Sequence, residues 1–158
     1  MQDLDKIFIA SDHRGYNLKY EIVKNWSKII SFAPELKDVK IIDLTPRYNP
    51  EDDYPDSANE LAKNIKKHPH SAGILLCGTG IGVSIAANRH KNIRAAIAYS
   101  EEISVLSRQH NDANVICIPA DYTDLKSSAI MILKFFTTPS FTEEKYLRRS
   151  QKLDKEPK

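Results

Sequence analysis

Glycine is scarce in this chain, with five residues among 158, yet three of the five crowd together at Gly78, Gly80 and Gly82. Cysteine is scarcer. Cys77 and Cys117 stand alone, with no Cys-x-x-Cys pair, and neither a His-x-x-x-His spacing nor a carboxylate cluster takes its place, so no metal or other cofactor is expected. No apolar run is longer than a strand, and the acidic start Met1-Gln2-Asp3-Leu4-Asp5 has no basic stretch leading into one. Neither a signal peptide nor a membrane span is therefore expected, and the two thiols are expected free in a reducing cytosol. Charge of one sign is also missing. A net charge of +2 gives no ground for nucleic acid or a membrane surface as partner.

What the chain does contain is alternation. Short β-rich apolar runs at residues 6–10, 39–44, 73–77, 94–98 and 114–118 are nearly unbroken, as in Ile74-Leu75-Leu76. Parallel strands covered on both faces read this way. Segments of helical period follow at 16–30, 57–67, 81–89, 101–109 and 124–136, and a last polar helix is expected over 142–155, with Thr142 as its N-cap and a frayed end at 155–158. Five βα units in succession imply an α/β fold: a Rossmann-like three-layer α/β/α sandwich with a five-stranded parallel sheet and a C-terminal helix. No repeat or linker interrupts it, so residues 1–158 read as one domain.

Ligands of such sheets bind beyond the carboxyl ends of the strands. Four of the five strand ends here are polar or glycine-rich: Ser11-Asp12-His13, the Asp52-Asp53-Tyr54-Pro55 region, Gly78-Thr79-Gly80-Ile81-Gly82, and Tyr99-Ser100. Alternate glycines between a strand and a helix allow close backbone approach and aim amides at an anion or at developing negative charge. The loop is neither a Walker A loop, because Val83-Ser84 follows Gly82, nor a dinucleotide fingerprint, because Val83 occupies the third glycine position. Cys77 immediately precedes it. A free cysteine is usually a small buried hydrophobe, but a helix N-terminus nearby favours the thiolate. Cys117, inside an apolar strand, keeps the bland role.

These pieces occur in a definite order: Ser11-Asp12-His13-Arg14-Gly15 with Leu18-Lys19, then Asp53-Tyr54-Pro55, Cys77 through Gly82, Ser84 through Asn88, and Ser107 through Val115. In that order the chain resembles the type B ribose-5-phosphate isomerases of the ribose/galactose isomerase family, from about Ile7 to Leu153. The resemblance implies a cofactor-free homodimer of the pentose phosphate pathway with sites at the subunit interface, where the helix of residues 141–155 would lie. It implies an aldose–ketose isomerisation of a sugar phosphate through a cis-enediolate. Cys77 would be the carbon base, Thr79 its support, and the amides from Gly78 through Gly80, Gly82, Val83 and Ser84 the enediolate holders. His110 would open the sugar ring, a step suited to imidazole, which titrates near neutral pH. Asp12, Tyr54 and Asn111 would contact the sugar, with Asn111 reaching in from the partner subunit.

His13, Lys145 and Arg149 would hold the phosphate. Lys145 stands where the resemblance implies an arginine, keeping the charge without the planar fork. Asp121 stands where it implies another. Three readings of Asp121 are open: a rebuilt loop that turns it away, compensation by Arg14 or Arg148, or a different substrate. The related reading is a hexose-6-phosphate isomerase acting on galactose or allose 6-phosphate, and a further one is a non-catalytic sugar-phosphate binder.

Overall fold

A computed structural model of the chain describes residues 4–155. Five parallel strands form one sheet: β1 (Lys6–Ser11), β2 (Lys40–Asp43), β3 (Ser71–Cys77), β4 (Ala95–Ile97) and β5 (Val115–Pro119), in the order β2-β1-β3-β5-β4. The central strands β1, β3 and β5 are buried almost throughout, which is why their sequences run apolar without alternation. β2 and β4, at the edges, are only partly covered.

Successive side chains point to opposite faces, and the core divides accordingly. Ile7, Ile9, Ile74, Leu76, Ile116 and Ile118 face one side, packed with Ile22, Trp26, Met131 and Phe135. These come from α1 (Tyr16–Lys24), α2 (Trp26–Ile30) and α6 (Leu125–Thr137). Phe8, Ala10, Leu75, Cys77, Val115 and Cys117 face the other side, against Leu61 and Val83 of α3 (Tyr54–Lys67) and α4 (Ile81–Ala87). Two further helices, α5 (Glu101–Asn111) and α7 (Glu144–Leu153), complete the three layers.

Several expected boundaries move. The helix expected over 16–30 breaks at Asn25, whose φ of −99° and ψ of 10° leave the helical region while its side-chain amide donates to the Glu21 carbonyl at 2.8 Å. Asparagine competes with the backbone for that bond. α3 starts at Tyr54 rather than at residue 57 because Asp53 is extended and Pro55 presets the first turn. α7 is capped at Glu143, not Thr142, with no side-chain cap bond. Short 3-10 turns at Pro34–Leu36 and Ala120–Tyr122 were not legible as periodic segments. Residues 156–158 of the expected frayed end lie outside the described part.

Strand order reverses around β1: the chain leaves it toward β2 on one side and returns to β3 on the other. The connections after β1 and β3 therefore pass over opposite faces, and a crevice opens between their carboxyl ends.

Candidate active site

Cys77 ends β3 at that crevice, nearly buried, and the Gly80 amide donates to its sulfur at 3.2 Å. Gly80 makes this possible with a φ of +73°, a conformation costly for any residue with a β-carbon. The amide of Ile81 donates to Thr79 Oγ1 at 3.3 Å, fixing the exposed Thr79 side chain beside the thiol loop. The Ser84 amide donates to the Gly80 carbonyl at 3.2 Å and its hydroxyl to the Ile81 carbonyl at 2.8 Å. Ser84 thus braces the first turn of α4, and its amide is already committed there. The amides of Gly82 and Val83, within that turn, have no intrahelical acceptor, as at any helix start. Burial pushes the Cys117 thiol far above its ordinary value, with the neighbouring Cys77 adding to the effect. Of the two thiols, only Cys77 borders the crevice.

The ring of Tyr54, at the start of α3, lies over Gly82: a β-carbon there would come within 2.8–2.9 Å of three ring carbons. Across the crevice, Asp12 is 5% exposed and accepts from the Gly15 amide at 3.0 Å. It shapes the turn into α1 as a local cap would. Desolvation raises its carboxyl above the ordinary value, the Gly15 bond partly opposing this. His13 is held by Asp52, whose carboxylate accepts from the His13 amide at 2.7 Å and lies 2.9 Å from its Nδ1. That hydrogen bond raises the imidazole's value.

Asp121 does not turn away. Its carboxylate accepts from Arg14 Nη2, and its amide donates to the Gly78 carbonyl at 3.0 Å. Arg14, from the opposite side of the loop, brings a guanidinium to this corner.

The remaining expected residues lie elsewhere. α5 runs antiparallel to the strands, so His110 and Asn111 in its last turn sit at the amino end of β5, whereas Cys77 pairs with Pro119 at the carboxyl end. At ~3.3 Å per residue the two ends are on the order of 13 Å of strand apart. His110 stacks on Tyr146 of α7, ring centroids 5.1 Å apart and planes 9° apart, so Lys145 and Arg149 lie on the helix carrying that ring. Among the described residues, no three His, Cys, Asp or Glu side chains converge to hold a metal.

Residues 7–153 match the Ribose/Galactose Isomerase family. The chain belongs to that family. It is 38% identical over 154 residues to a probable ribose-5-phosphate isomerase B of Mycoplasma pneumoniae, spanning 97% of this chain and 95% of the relative. To a probable ribose-5-phosphate isomerase B of Mycoplasma genitalium it is 42% identical over 150 residues, 93% of this chain and 92% of the relative. Among solved structures, ribose-5-phosphate isomerase B of Mycoplasma genitalium with bound ribulose-5-phosphate superposes with a TM-score of 0.82 at 36% identity, covering 94% and 93% of the two chains. The type B ribose 5-phosphate isomerase of Trypanosoma brucei gives 0.85 at 34% identity, over 95% and 97%.

Within this ribose/galactose isomerase family fold, sequence reasoning missed two supports. Asp52 was only one of a run of acidic residues, and nothing local marked it as the His13 partner. Lys19, fully buried, donates to both Asp43 carboxylate oxygens at 2.8 and 2.7 Å and to the Thr45 carbonyl at 2.6 Å. It ties α1 to the end of β2; the sequence marked it only as part of the Leu18-Lys19 motif, without a role. A cavity of about 640 Å³ lies away from the crevice. It lies between α2 and α6, with Ile29, Phe32, Ala129 and Leu133 in its apolar wall and Lys28, Lys126 and Lys134 also lining it.

Proposed function

We infer that this chain interconverts ribose 5-phosphate and ribulose 5-phosphate. The observation carrying this reading is the Cys77 thiol at the end of β3, hydrogen-bonded by Gly80 and followed by the amides of a helix start. Starting from the aldose, the Cys77 thiolate takes the proton from C2, breaking the C–H bond and forming S–H. The electron pair becomes the C1–C2 double bond, and the former carbonyl oxygen carries the charge of a cis-enediolate. Amides of Gly82 and Val83 suit that oxygen, and donors fixed in advance stabilise developing charge without reorganising. The proton returns to C1, the C2 hydroxyl proton passes to the C1 oxygen, and the carbonyl is left at C2. The relatives named for ribose-5-phosphate, one with ribulose-5-phosphate bound, support a pentose over the hexose reading.

The working unit is a homodimer. The separation of His110 and Asn111 from Cys77 supports it, because one chain does not bring them together. Ile81 and Ile85, one turn apart on α4 beside the loop, are 52% and 61% exposed and suit burial against a second copy. In such a dimer His110 opens the ring, Asn111 binds sugar hydroxyls, and Lys145 with Arg149 reaches the partner's phosphate. Cys77 and Cys117, both unpaired, fit a reducing cytosol.

Turnover on ribose 5-phosphate, galactose 6-phosphate and allose 6-phosphate tests the assignment. Ribose 5-phosphate is expected to have the highest kcat/KM. A hexose preference overturns the substrate, and absence of isomerisation of all three leaves the binding-protein reading standing instead. Replacing Cys77 by Ala is expected to lower kcat by ~10²–10⁴-fold with folding unchanged; an unchanged rate removes Cys77 as the base.

A further inference from the structure

We propose that Arg14 adds a guanidinium to the grip on the substrate's phosphate beside this chain's own Cys77, held in place across Gly78 by Asp121. This rests on the reading of the site as that of a sugar-phosphate isomerase.

The pair straddles the first residue after β3. A β-carbon on Gly78 would lie 2.5 Å from Arg14 Nε and 2.7 Å from Asp121 Oδ2, so glycine is what allows both side chains to close over this point. One residue away is Cys77. Arg14 comes from the turn after β1 and Asp121 from the turn after β5, so they meet across the end of the strand that carries the base. The Asp121 amide bond to the Gly78 carbonyl fixes the carboxylate relative to the loop.

Arg14 is not exhausted by this contact. A guanidinium has five N–H donors in a fixed fork, and the carboxylate bond uses only Nη2. The Arg14 side chain remains 60% exposed while paired, against 30% for Asp121. Its free edge suits a bidentate contact with phosphate oxygens. Next to it in the chain is His13, whose Nδ1 lies 2.9 Å from the Asp52 carboxylate. Lys145 and Arg149 lie on α7, which packs on the far end of α5 in the same chain. At the carboxyl ends of the strands, Arg14 is therefore a guanidinium that this chain itself places beside its own Cys77.

Asp121 has two opposed effects. It orients the guanidinium, and its charge repels the incoming dianion. That opposition makes the role testable, because a mere strap across Gly78 predicts something different. If the pair only fastens the loop, Arg14→Ala and Asp121→Asn both loosen it and both raise KM. If Arg14 holds the phosphate, the two substitutions act in opposite directions.

The experiment measures KM and kcat for ribose 5-phosphate and, by calorimetry, the affinity for inorganic phosphate in the wild type, Arg14→Ala, Arg14→Lys and Asp121→Asn. Loss of charge-assisted bonds in Arg14→Ala is expected to raise KM and weaken phosphate binding by ~10–100-fold, with kcat changed far less. Arg14→Lys should fall between, since it keeps the charge and loses the fork, and it serves if the alanine variant fails to fold. Asp121→Asn is expected to tighten phosphate binding about two- to tenfold by removing a like charge. Unchanged phosphate affinity in both Arg14 variants, or a shift of Asp121→Asn in the same direction as Arg14→Ala, overturns the proposal. Because phosphate binding is read without turnover, a protein that binds phosphate through Arg14 yet isomerises nothing would overturn the proposed function alone.

Discussion

Tyr54 and Gly82 pack closely across two helices: three carbons of the Tyr54 ring occupy the space a β-carbon on residue 82 would need, at 2.8–2.9 Å. The contact couples the start of α3 to the amide row of α4. Gly82→Ala would push the ring outward, where Tyr54 is already 43% exposed and free to move. Overpacking costs ~1–3 kcal/mol, at the low end when the neighbour can swing, and alanine regains ~1 kcal/mol of helix propensity. Stability in urea should therefore change little, while KM for the sugar phosphate rises several-fold. A KM equal to the wild type would show that Tyr54 does not line the sugar pocket.

The distance between Cys77 and His110 within one chain leads to a complementation test. Cys77→Ala and His110→Ala homodimers should each be nearly inactive. Mixed and refolded together in equal amounts, they form heterodimers carrying one intact site, so about a quarter of wild-type activity is expected for random pairing of a symmetric dimer. No recovery, with heterodimers demonstrated by mass spectrometry, rules out a site shared between subunits.

His13 and Asp52 set a pH dependence whose sign follows from the raised imidazole. Stability from the pair is fully present below the ordinary histidine value of ~6.5 and is lost as pH rises through the higher folded value. Asp52→Asn should move the His13 titration, followed by NMR of its ring protons, downward toward the ordinary value. A titration unmoved by the substitution would mean that Asp52 is not its partner in solution.

Asp112 joins two arginines at the far end of α5, bonding Arg94 at 2.8 Å and Arg108 at 2.9 Å. Arg108 is 2% exposed, and desolvation holds it below its ordinary value, with Asp112 opposing that shift. Residue 112 is left-handed, with φ 47°, a conformation asparagine also accepts. Asp112→Asn therefore removes charge with little backbone strain and should lower unfolding stability by ~1–3 kcal/mol, the cost of leaving a buried polar group undersatisfied. Arg94 also binds Asp154 of the α7 C-cap at 2.8 Å, so the loss should increase amide exchange in α7 as well. Unchanged stability would assign Arg108 a sufficient partner in the Ala113 carbonyl.

Local pattern made the β3 strand, its end at Cys77 and the Gly78–Gly82 loop readable, because an unbroken apolar run, a change of period and a cluster of glycines each have a short-range physical cause. The same signals concealed the break at Asn25. An apolar stripe continues through it in Ile22, Trp26 and Ile29, and one asparagine's side-chain bond is too small a feature to outweigh the period. Ser84 shows the limit on the site. Its place in the amide row was legible, but its commitment to Gly80 depends on how tightly the first turn closes.

By itself the sequence determined the parallel α/β architecture, the thiol before a glycine loop, and the ordered motifs that mark the family, each read from segments no longer than about one βα unit and from their order along the chain. Only the tertiary structure decided which charges meet. Arg14 and Asp121 are 107 residues apart along the chain and His13 and Asp52 are 39 apart. Strand order brings these pairs to one crevice and sends His110 to the opposite end of the sheet. Pairing over such separations is set by how the sheet is wound, and strand winding leaves no mark in the spacing of the residues it joins.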